Sequence, residues 1–350
     1  MTLPEKMTLP EKMQALVLRH DGHSRTVGGL AIDDLRDLLA LRRIAVPHPS
    51  TGQVLIRVVL SPVNPSDVHY IRGEYGVPRM RGTPAGFEGT GSVVAAGDGA
   101  QAAALIGRRV SFLASASGAW ADYALTDAAS CVAIDEGLRA EDAAALLVNP
   151  LTAVAMIDLA AEAGASAVVL TAAASQLGRL LIPLARSREI APIAILRRPD
   201  AEAELLALGA AHVLVGGAPD FAERLATVLR AEKPRILFDA VGDQTSADIF
   251  LAMPTHSRWI SYGMLSGRGP RLAHMGQFVF SDKRIEGFWL SRWLHAASPE
   301  ARASAEAEVQ HRFLAGEWST RDGDRVALAD ALERLPAALA RPGKVMLVPR

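Results

Sequence analysis

The sequence predicts a two-domain α/β protein in which a doubly wound parallel sheet interrupts a mostly β domain. Three observations carry that prediction. Residues 13–130 hold short β-like runs separated by Gly and Pro, and residues 149–290 alternate strand-like runs with helix-period stretches. From residue 291 the texture is mixed again and closes on one more strand-like run. At 350 residues the chain has room for two cores.

In the first part, "MQALVLRH" (13–20), "QVLIRVVLSPV" (53–63), "GTGSVVAAG" (89–97) and "RRVSFLA" (108–114) are β-branched or alternating, with turn residues between them. The perfect repeat of "MTLPEK" at 1–6 and 7–12 reads as a duplicated start, so residues 1–12 are expected to lie outside the fold. The first domain is therefore 13–148. In the second, 149–290, six strands are expected within 165–172, 191–198, 211–217, 234–242, 257–264 and 283–290. Helix-period stretches such as 177–188 and 221–232 lie between them, the first carrying Pro183. Alternation through six strands implies a parallel Rossmann-type sheet. Residues 291–350 are expected to return to the first domain, with "GKVMLVPR" (343–350) as the final strand.

Composition narrows the function. A net charge of -1 offers no electrostatic case for nucleic acid or an anionic membrane. No run approaches ~18 uninterrupted apolar residues. Cys131 is the only cysteine, which rules out an intramolecular disulfide or a multi-thiolate zinc site and fits a reducing compartment. The start has neither a secretory nor a transit profile, so a cytoplasmic location is the expectation.

"TAAASQLGR" (171–179) follows the first strand of the parallel sheet and opens its first helix, where a pyrophosphate rests in dinucleotide-binding sheets. The string alone is equally an alanine-rich helix start. Ala173 and Ala174 are small, Ser175 offers a hydroxyl, and Gly178 stands where helix packs closely on strand. Roughly 20 residues on, where NAD enzymes place an acid, stand Arg197 and Arg198. Paired guanidiniums suit the 2′-phosphate of NADPH, although two solvated arginines would look the same.

"VNPSDVHYIRGEYGVPRMRGTPAGFEGTGSVVAAG" (63–97), "VNPLTA" (148–153), "RRPD" (197–200), "LGAAHVL" (208–214) and "GFWLSRW" (287–293) resemble the medium-chain dehydrogenase/reductase superfamily. Within it they are most similar to the zinc-independent quinone oxidoreductase branch, and there to trans-2-enoyl thioester reductases. The resemblance implies a GroES-like catalytic domain, NADPH as cofactor, and a homodimer. The superfamily's zinc positions fall near Ser66, Phe87 and Asn149, none of them Cys or His, and the nine histidines form no ligand pair. Metal is therefore not expected.

By the same resemblance, Tyr75 falls on the proton donor of the enoyl reductases, while its spacing alone leaves a packing tyrosine open. Asn64 is implied near the nicotinamide. Gln176, Leu177, Tyr262, Phe288 and Trp289 match segments lining the cofactor groove, and Gln176 replaces a glycine usual there. Trp120 is expected to be structural. Arg72, Arg79 and Arg81 surround Tyr75 as candidate contacts for a thioester carrier or as solvated charge.

The implied reaction is hydride transfer to the activated C=C of an α,β-unsaturated carbonyl, a 2-enoyl thioester above all. A quinone reductase is the alternative enzyme. A non-catalytic NADPH-binding protein is the further one. The expected partner is a small molecule, with no nucleic acid and no membrane.

Overall fold

A computed structural model of the chain describes residues 9–25, 28 and 30–349. It forms two compact units, one running to Val148 and resuming at Gln310, the other Asn149–Val309. The second boundary lies beyond the expected residue 291, because Leu290–Ala296 and the start of Pro299–Leu314 are helical and belong to the second unit.

The first unit opens with β1 (Lys12–Leu18) and β2 (Leu39–Ala45), an antiparallel two-stranded sheet. The duplicated start is thus not wholly outside the fold. Residues 1–8 lie outside the described residues, but Lys12 begins β1, the Glu11 carbonyl accepts Val46 N–H at 3.1 Å, and Leu9 packs on a buried cluster. Next come β3 (Gln53–Pro62), β4 (Glu88–Ala96), β5 (Arg109–Leu113), β6 (Tyr123–Asp127) and β7 (Cys131–Ala133). Strand β3 pairs with β4 and β6, so alternate residues enter cores on both faces. Val54, Ile56 and Val58 meet Val93, Val110 and Phe112 on one of them. Trp120 is fully buried, its indole N–H donating to the Pro62 carbonyl at 3.4 Å.

The second unit contains β8 (Ala167–Leu170), β9 (Ala191–Leu196), β10 (His212–Val215), β11 (Ile236–Asp239), β12 (Arg258–Ser261) and β13 (Arg284–Gly287). All pair in parallel in the order β10-β9-β8-β11-β12-β13, the doubly wound arrangement. Strands β8 and β11 are wholly buried, as strands covered on both faces must be. Helices Gln176–Ser187, Phe221–Glu232 and Gln244–Ala252 bring the chain back between strands. Pro183 does not break the first of these, since it forfeits a single backbone bond while Leu180, Leu181, Leu184 and Ala185 bury their face.

The chain then returns to the first unit, where β14 (Arg325–Ala327) pairs with β15 (Met346–Val348) and β15 with β3. This extends the large sheet to seven strands.

Candidate active site

Strand order in the second unit reverses between β8 and β11, the point where open α/β sheets receive ligands. A hydrogen-bonded staple fixes the two strand ends. Thr171 Oγ1 donates to Asp239 Oδ1 at 2.6 Å and accepts Ala240 N–H at 2.9 Å. Asp239 is fully buried and also accepts from Ser246 Oγ (2.8 Å), Trp259 Nε1 (2.9 Å), Val241 N (3.0 Å) and Gly242 N (2.9 Å).

The loop after β8 keeps a dinucleotide-loop shape without its usual glycines. Ala172 adopts φ 47°, the left-handed region, which costs an L-residue roughly 1–2 kcal/mol. Ala173 is buried and Ala174 half-buried. Ser175 caps the helix, its Oγ accepting Gly178 N–H at 3.1 Å, which leaves the hydroxyl proton to donate. A Cβ on Gly178 would stand 2.3 Å from the Ala173 carbonyl oxygen, so helix and loop meet only because Gly178 has none. Gln176 opens the helix, and the Leu177 side chain is buried, leaving only its backbone to a ligand. A helix N-terminus at a close-approach loop is an anion site.

Arg197 and Arg198 follow β9 and are both exposed. Arg198 Nε lies 3.6 Å from the Asp200 carboxylate, a pairing that sequence reasoning missed. Tyr262 follows β12, and its hydroxyl is buried with no hydrogen-bond partner among the described residues. Burial, followed by the charge of Asp239, pushes that phenol above the ordinary tyrosine range. That unpaired buried hydroxyl, beside the switch point, is a polar atom able to bond a dinucleotide. Phe288 and Trp289 follow β13, both half-buried, with Phe288 N–H donating to the Ser261 carbonyl at 2.8 Å. The second unit therefore fits a dinucleotide: loop, helix start, arginines and Tyr262 stand at or beyond the carboxyl ends of β8, β9 and β12.

In the first unit, the helix Pro65–Arg72 starts at Asn64 with proline at its first position and ends at Gly73, φ 76°. The Asn64 side chain does not stand open to a nicotinamide. It is buried, its Nδ2 donates to Glu88 Oε1 at 2.8 Å, and its Oδ1 accepts from Lys344 Nζ. The Asp67 carboxylate takes Asn64 N–H at 2.7 Å and Phe87 N–H at 2.9 Å. Glu88 also accepts from Leu147 N (3.2 Å) and Val148 N (2.9 Å). Asn64 thus belongs to a buried quartet with Asp67, Glu88 and Lys344. Sequence reasoning placed Lys344 in a terminal strand and gave no signal of this.

Tyr75 lies half-buried on the loop after that helix. Its ring packs on Phe87 at 5.0 Å, and Tyr70 packs on the same ring at 4.9 Å. Phe87, at a position that would carry a zinc ligand, is here the centre of an aromatic trio. Among the described residues no group of three His, Cys, Asp or Glu could hold a metal ion. Ser66 Oγ and His69 Nε2, three residues apart on the helix and so on one face, are both buried and without a hydrogen-bond partner among the described residues. His69 Nδ1 is held by Glu74 Oε2 at 3.0 Å, which puts a proton on Nδ1. Arg72 and Arg79 are occupied: Arg72 by Glu74 (3.0 Å) and the Ala31 carbonyl (3.0 Å), Arg79 by the carbonyls of Gly22 (3.0 Å) and Ile71 (3.2 Å).

These features agree with known proteins. Residues 50–136 match the alcohol dehydrogenase GroES-like domain. The structure of a candidate NADPH:quinone reductase of Mesorhizobium loti is 46% identical, with a TM-score of 0.93, covering 98% of this chain and 100% of that one. Mitochondrial enoyl-[acyl-carrier-protein] reductase of Bos taurus is 27% identical, covering 83% of this chain and 76% of that one. Prostaglandin reductase-3 of Bos taurus is 29% identical over 85% and 77% respectively. The fold and these likenesses define a medium-chain dehydrogenase/reductase. The chain belongs to that superfamily's quinone reductase and enoyl-thioester reductase branch.

Proposed function

We propose that the protein is an NADPH-dependent oxidoreductase that reduces a quinone. The observation that carries this reading is the 46% identity, over nearly the whole chain, with the Mesorhizobium loti protein. The switch-point loop, the exposed Arg197 and the orphan Tyr262 hydroxyl support the cofactor.

Bound NADPH supplies a hydride to the acceptor. The residues of this chain do the rest. Arg197 and Arg198 meet the 2′-phosphate, Ser175 and the helix start meet the pyrophosphate, and Ala173, Ala174, Gln176 and Gly178 shape that approach. Ser66 Oγ donates a hydrogen bond to a carbonyl oxygen of the acceptor, and His69 Nε2 accepts one from the hydroxyl that forms. One hydride turns a quinone into a hydroquinone monoanion, and one proton from solvent completes the hydroquinone.

A second reading, reduction of a 2-enoyl thioester, is favoured by Tyr75 in "GEYG", a phenol on a loop beside the Ser66–His69 face. The test is the fall in NADPH absorbance with a simple quinone, a 2-enoyl-CoA and an NADH control. Turnover with the quinone and NADPH supports the first reading. Turnover with the enoyl thioester alone transfers the assignment to the second, and no turnover with NADPH bound leaves a binding protein.

We further propose a homodimer formed through β13, the edge strand of the parallel sheet. All four of its residues are exposed. Antiparallel self-pairing centred on Ile285 sets Arg284 opposite Glu286 of a second copy, so the strand is complementary to itself. No described helix is long and apolar enough to cross a membrane.

A further inference from the structure

Arg81, unlike Arg72 and Arg79, leaves the Tyr75 loop and enters a groove on the first unit of about 540 Å³. The floor is apolar: Val17, Leu18 and Ala40 are buried and Ile44 is half-buried. The rim carries Arg19, His20, Arg42, Arg43 and Arg81, all exposed, and among the described residues no carboxylate lines it. Strand pairing explains why these charges meet. Arg42 and Arg43 stand opposite Ala15 and Gln14 in the β1–β2 ladder, while Leu18 accepts Gly82 N–H at 2.9 Å and donates to Thr83 O at 2.9 Å. That pairing lays the segment carrying Arg81 along β1.

Two of these five side chains are fixed by backbone. Arg19 Nη1 donates to the Arg36 carbonyl at 2.8 Å, and His20 Nε2 lies 2.7 Å from the Asp37 carbonyl. The guanidiniums of Arg42, Arg43 and Arg81 have no hydrogen bond or ion pair among the described residues. The Asp21 carboxylate accepts the backbone N–H of Arg81 at 2.8 Å and is not among the residues lining the groove.

Like charges repel, and three unneutralised guanidiniums around one groove of small-ligand size call for an anion between them. Guanidinium forks match the oxygen spacing of phosphate in pairs of parallel bonds, and two or three forks match more than one phosphate. We propose that this groove binds a compact polyphosphate or phosphate ester of a small molecule, through Arg42, Arg43 and Arg81, with the apolar floor receiving its carbon part. The site uses none of the residues assigned to the cofactor, so the proposal goes beyond the reductase reading and does not depend on it.

The test is calorimetric titration of the full-length protein with inorganic pyrophosphate, adenosine 3′,5′-bisphosphate and sulfate at fixed ionic strength. The groove variant is R42S/R43S/R81S. The charge-matched control, R108S/R230S/R268S, removes three arginines elsewhere. Circular dichroism establishes that each is folded, and R81S alone serves if the triple variant is not. The expected result is saturable pyrophosphate or bisphosphate binding that weakens roughly tenfold or more in the groove variant and stays near wild type in the control. Preference for the bisphosphate would identify a nucleotide source, and preference for pyrophosphate a simple polyphosphate. Equal weakening in both variants, binding no tighter than sulfate, or no binding by the wild type would each overturn the proposal. NADPH affinity, followed separately by cofactor fluorescence, tells a failure of the cofactor assignment from a failure of this one.

Discussion

His69 Nδ1 stands 3.0 Å from Glu74 Oε2, and the Glu74 backbone N–H donates to the His69 carbonyl at 2.8 Å. Two bonds therefore fasten the residue immediately before Tyr75 to the helix that carries Ser66 and His69. The Glu74 carboxylate is 3% exposed and also takes the Gly28 N–H at 2.7 Å and Arg72 Nε at 3.0 Å. Burial alone would raise its carboxyl, but the bonds from His69, Gly28 and Arg72 outweigh burial and hold it below the ordinary range.

Glu74→Gln is accordingly expected to lose about 1.5–3 kcal/mol, the usual worth of hydrogen bonds to a buried charged group. A carboxyl depressed in the folded state contributes stability above its unfolded value, and this is lost as pH falls through the folded value. Urea denaturation should find the wild-type advantage over Glu74→Gln at neutral pH and a shrinking gap on acidification below the ordinary glutamate range. A gap that is flat with pH would mean the charge does not matter.

Tyr75→Phe keeps the ring on Phe87 and removes only the hydroxyl. If the acceptor is a quinone, turnover should stay within a few-fold of wild type. With an enoyl thioester, loss of a general acid should lower kcat by about 10²–10⁴-fold. Steady-state kinetics with the two acceptors reads the difference directly.

Much of this was legible in the sequence, for reasons that can be named. The six parallel strands fell within their expected windows, β8 and β11 because wholly buried strands are continuous apolar runs bounded by turn residues. The cofactor loop was legible from its place after the first strand, although its letters were wrong; Ala172 shows that the fold imposes the left-handed turn without glycine. Strand β2, "LALRRIA", was not singled out, since half of it is exposed and Arg-rich. The burial of Lys344 was not legible either, because Glu88 and Asp67, which hold it, lie about 256 and 277 residues away in sequence and only tertiary pairing joins them.

Gly178→Ala should test the close approach in that loop. The added methyl would meet backbone atoms of Ala173 at 2.3–2.7 Å, which cannot turn aside as a side chain could. The helix must shift, at about 1–3 kcal/mol. Both thermal stability and NADPH affinity should fall. A loss of stability with unchanged affinity would separate the helix packing from the cofactor.

Arg197→Glu places a carboxylate where the 2′-phosphate is expected. The loss of one charge-assisted contact, about 1.5–3 kcal/mol, corresponds to roughly 10–150-fold in KM for NADPH. NADH, which lacks that phosphate, should be little affected, so the ratio of the two specificity constants moves toward NADH. An unchanged ratio would return Arg197 to the solvated surface.

Replacing Ile285 on β13 by Pro removes a backbone donor from the exposed edge and a 45%-exposed apolar side chain from the pairing axis. Light scattering after size exclusion should then find monomer where the wild type is dimer. A dimer that survives the change is built on another surface.

Lys344 is the sharpest lever on the first unit. Its ammonium is buried with Asp67, Glu88 and Asn64, and burial lowers it while the two carboxylates raise it. Burial first, with Glu88 behind it, pushes Asp67 up to about 7 from the usual 3.8, against the pull of Lys344 and of the bonds from Asn64 and Phe87. A carboxyl raised in the folded state contributes stability that is full below its unfolded value and lost as pH rises through the folded one. In the wild type, Asp67 therefore favours the folded state below about pH 4 and loses that contribution on the way to about 7. Lys344→Met removes the cation that faces both carboxyls, so each must be protonated or stay buried without it. The variant should lose about 3–5 kcal/mol at alkaline pH, the usual cost of an uncompensated buried charge. The loss should be distinctly smaller near pH 5, where protonation is easy. Adding Glu88→Gln to Lys344→Met should restore part of the alkaline stability by removing one of the stranded charges. Denaturant midpoints at about pH 5 and about pH 8.5 decide the matter, because a loss equal at both, unrelieved by the second change, would mean that Lys344 contributes packing and not charge.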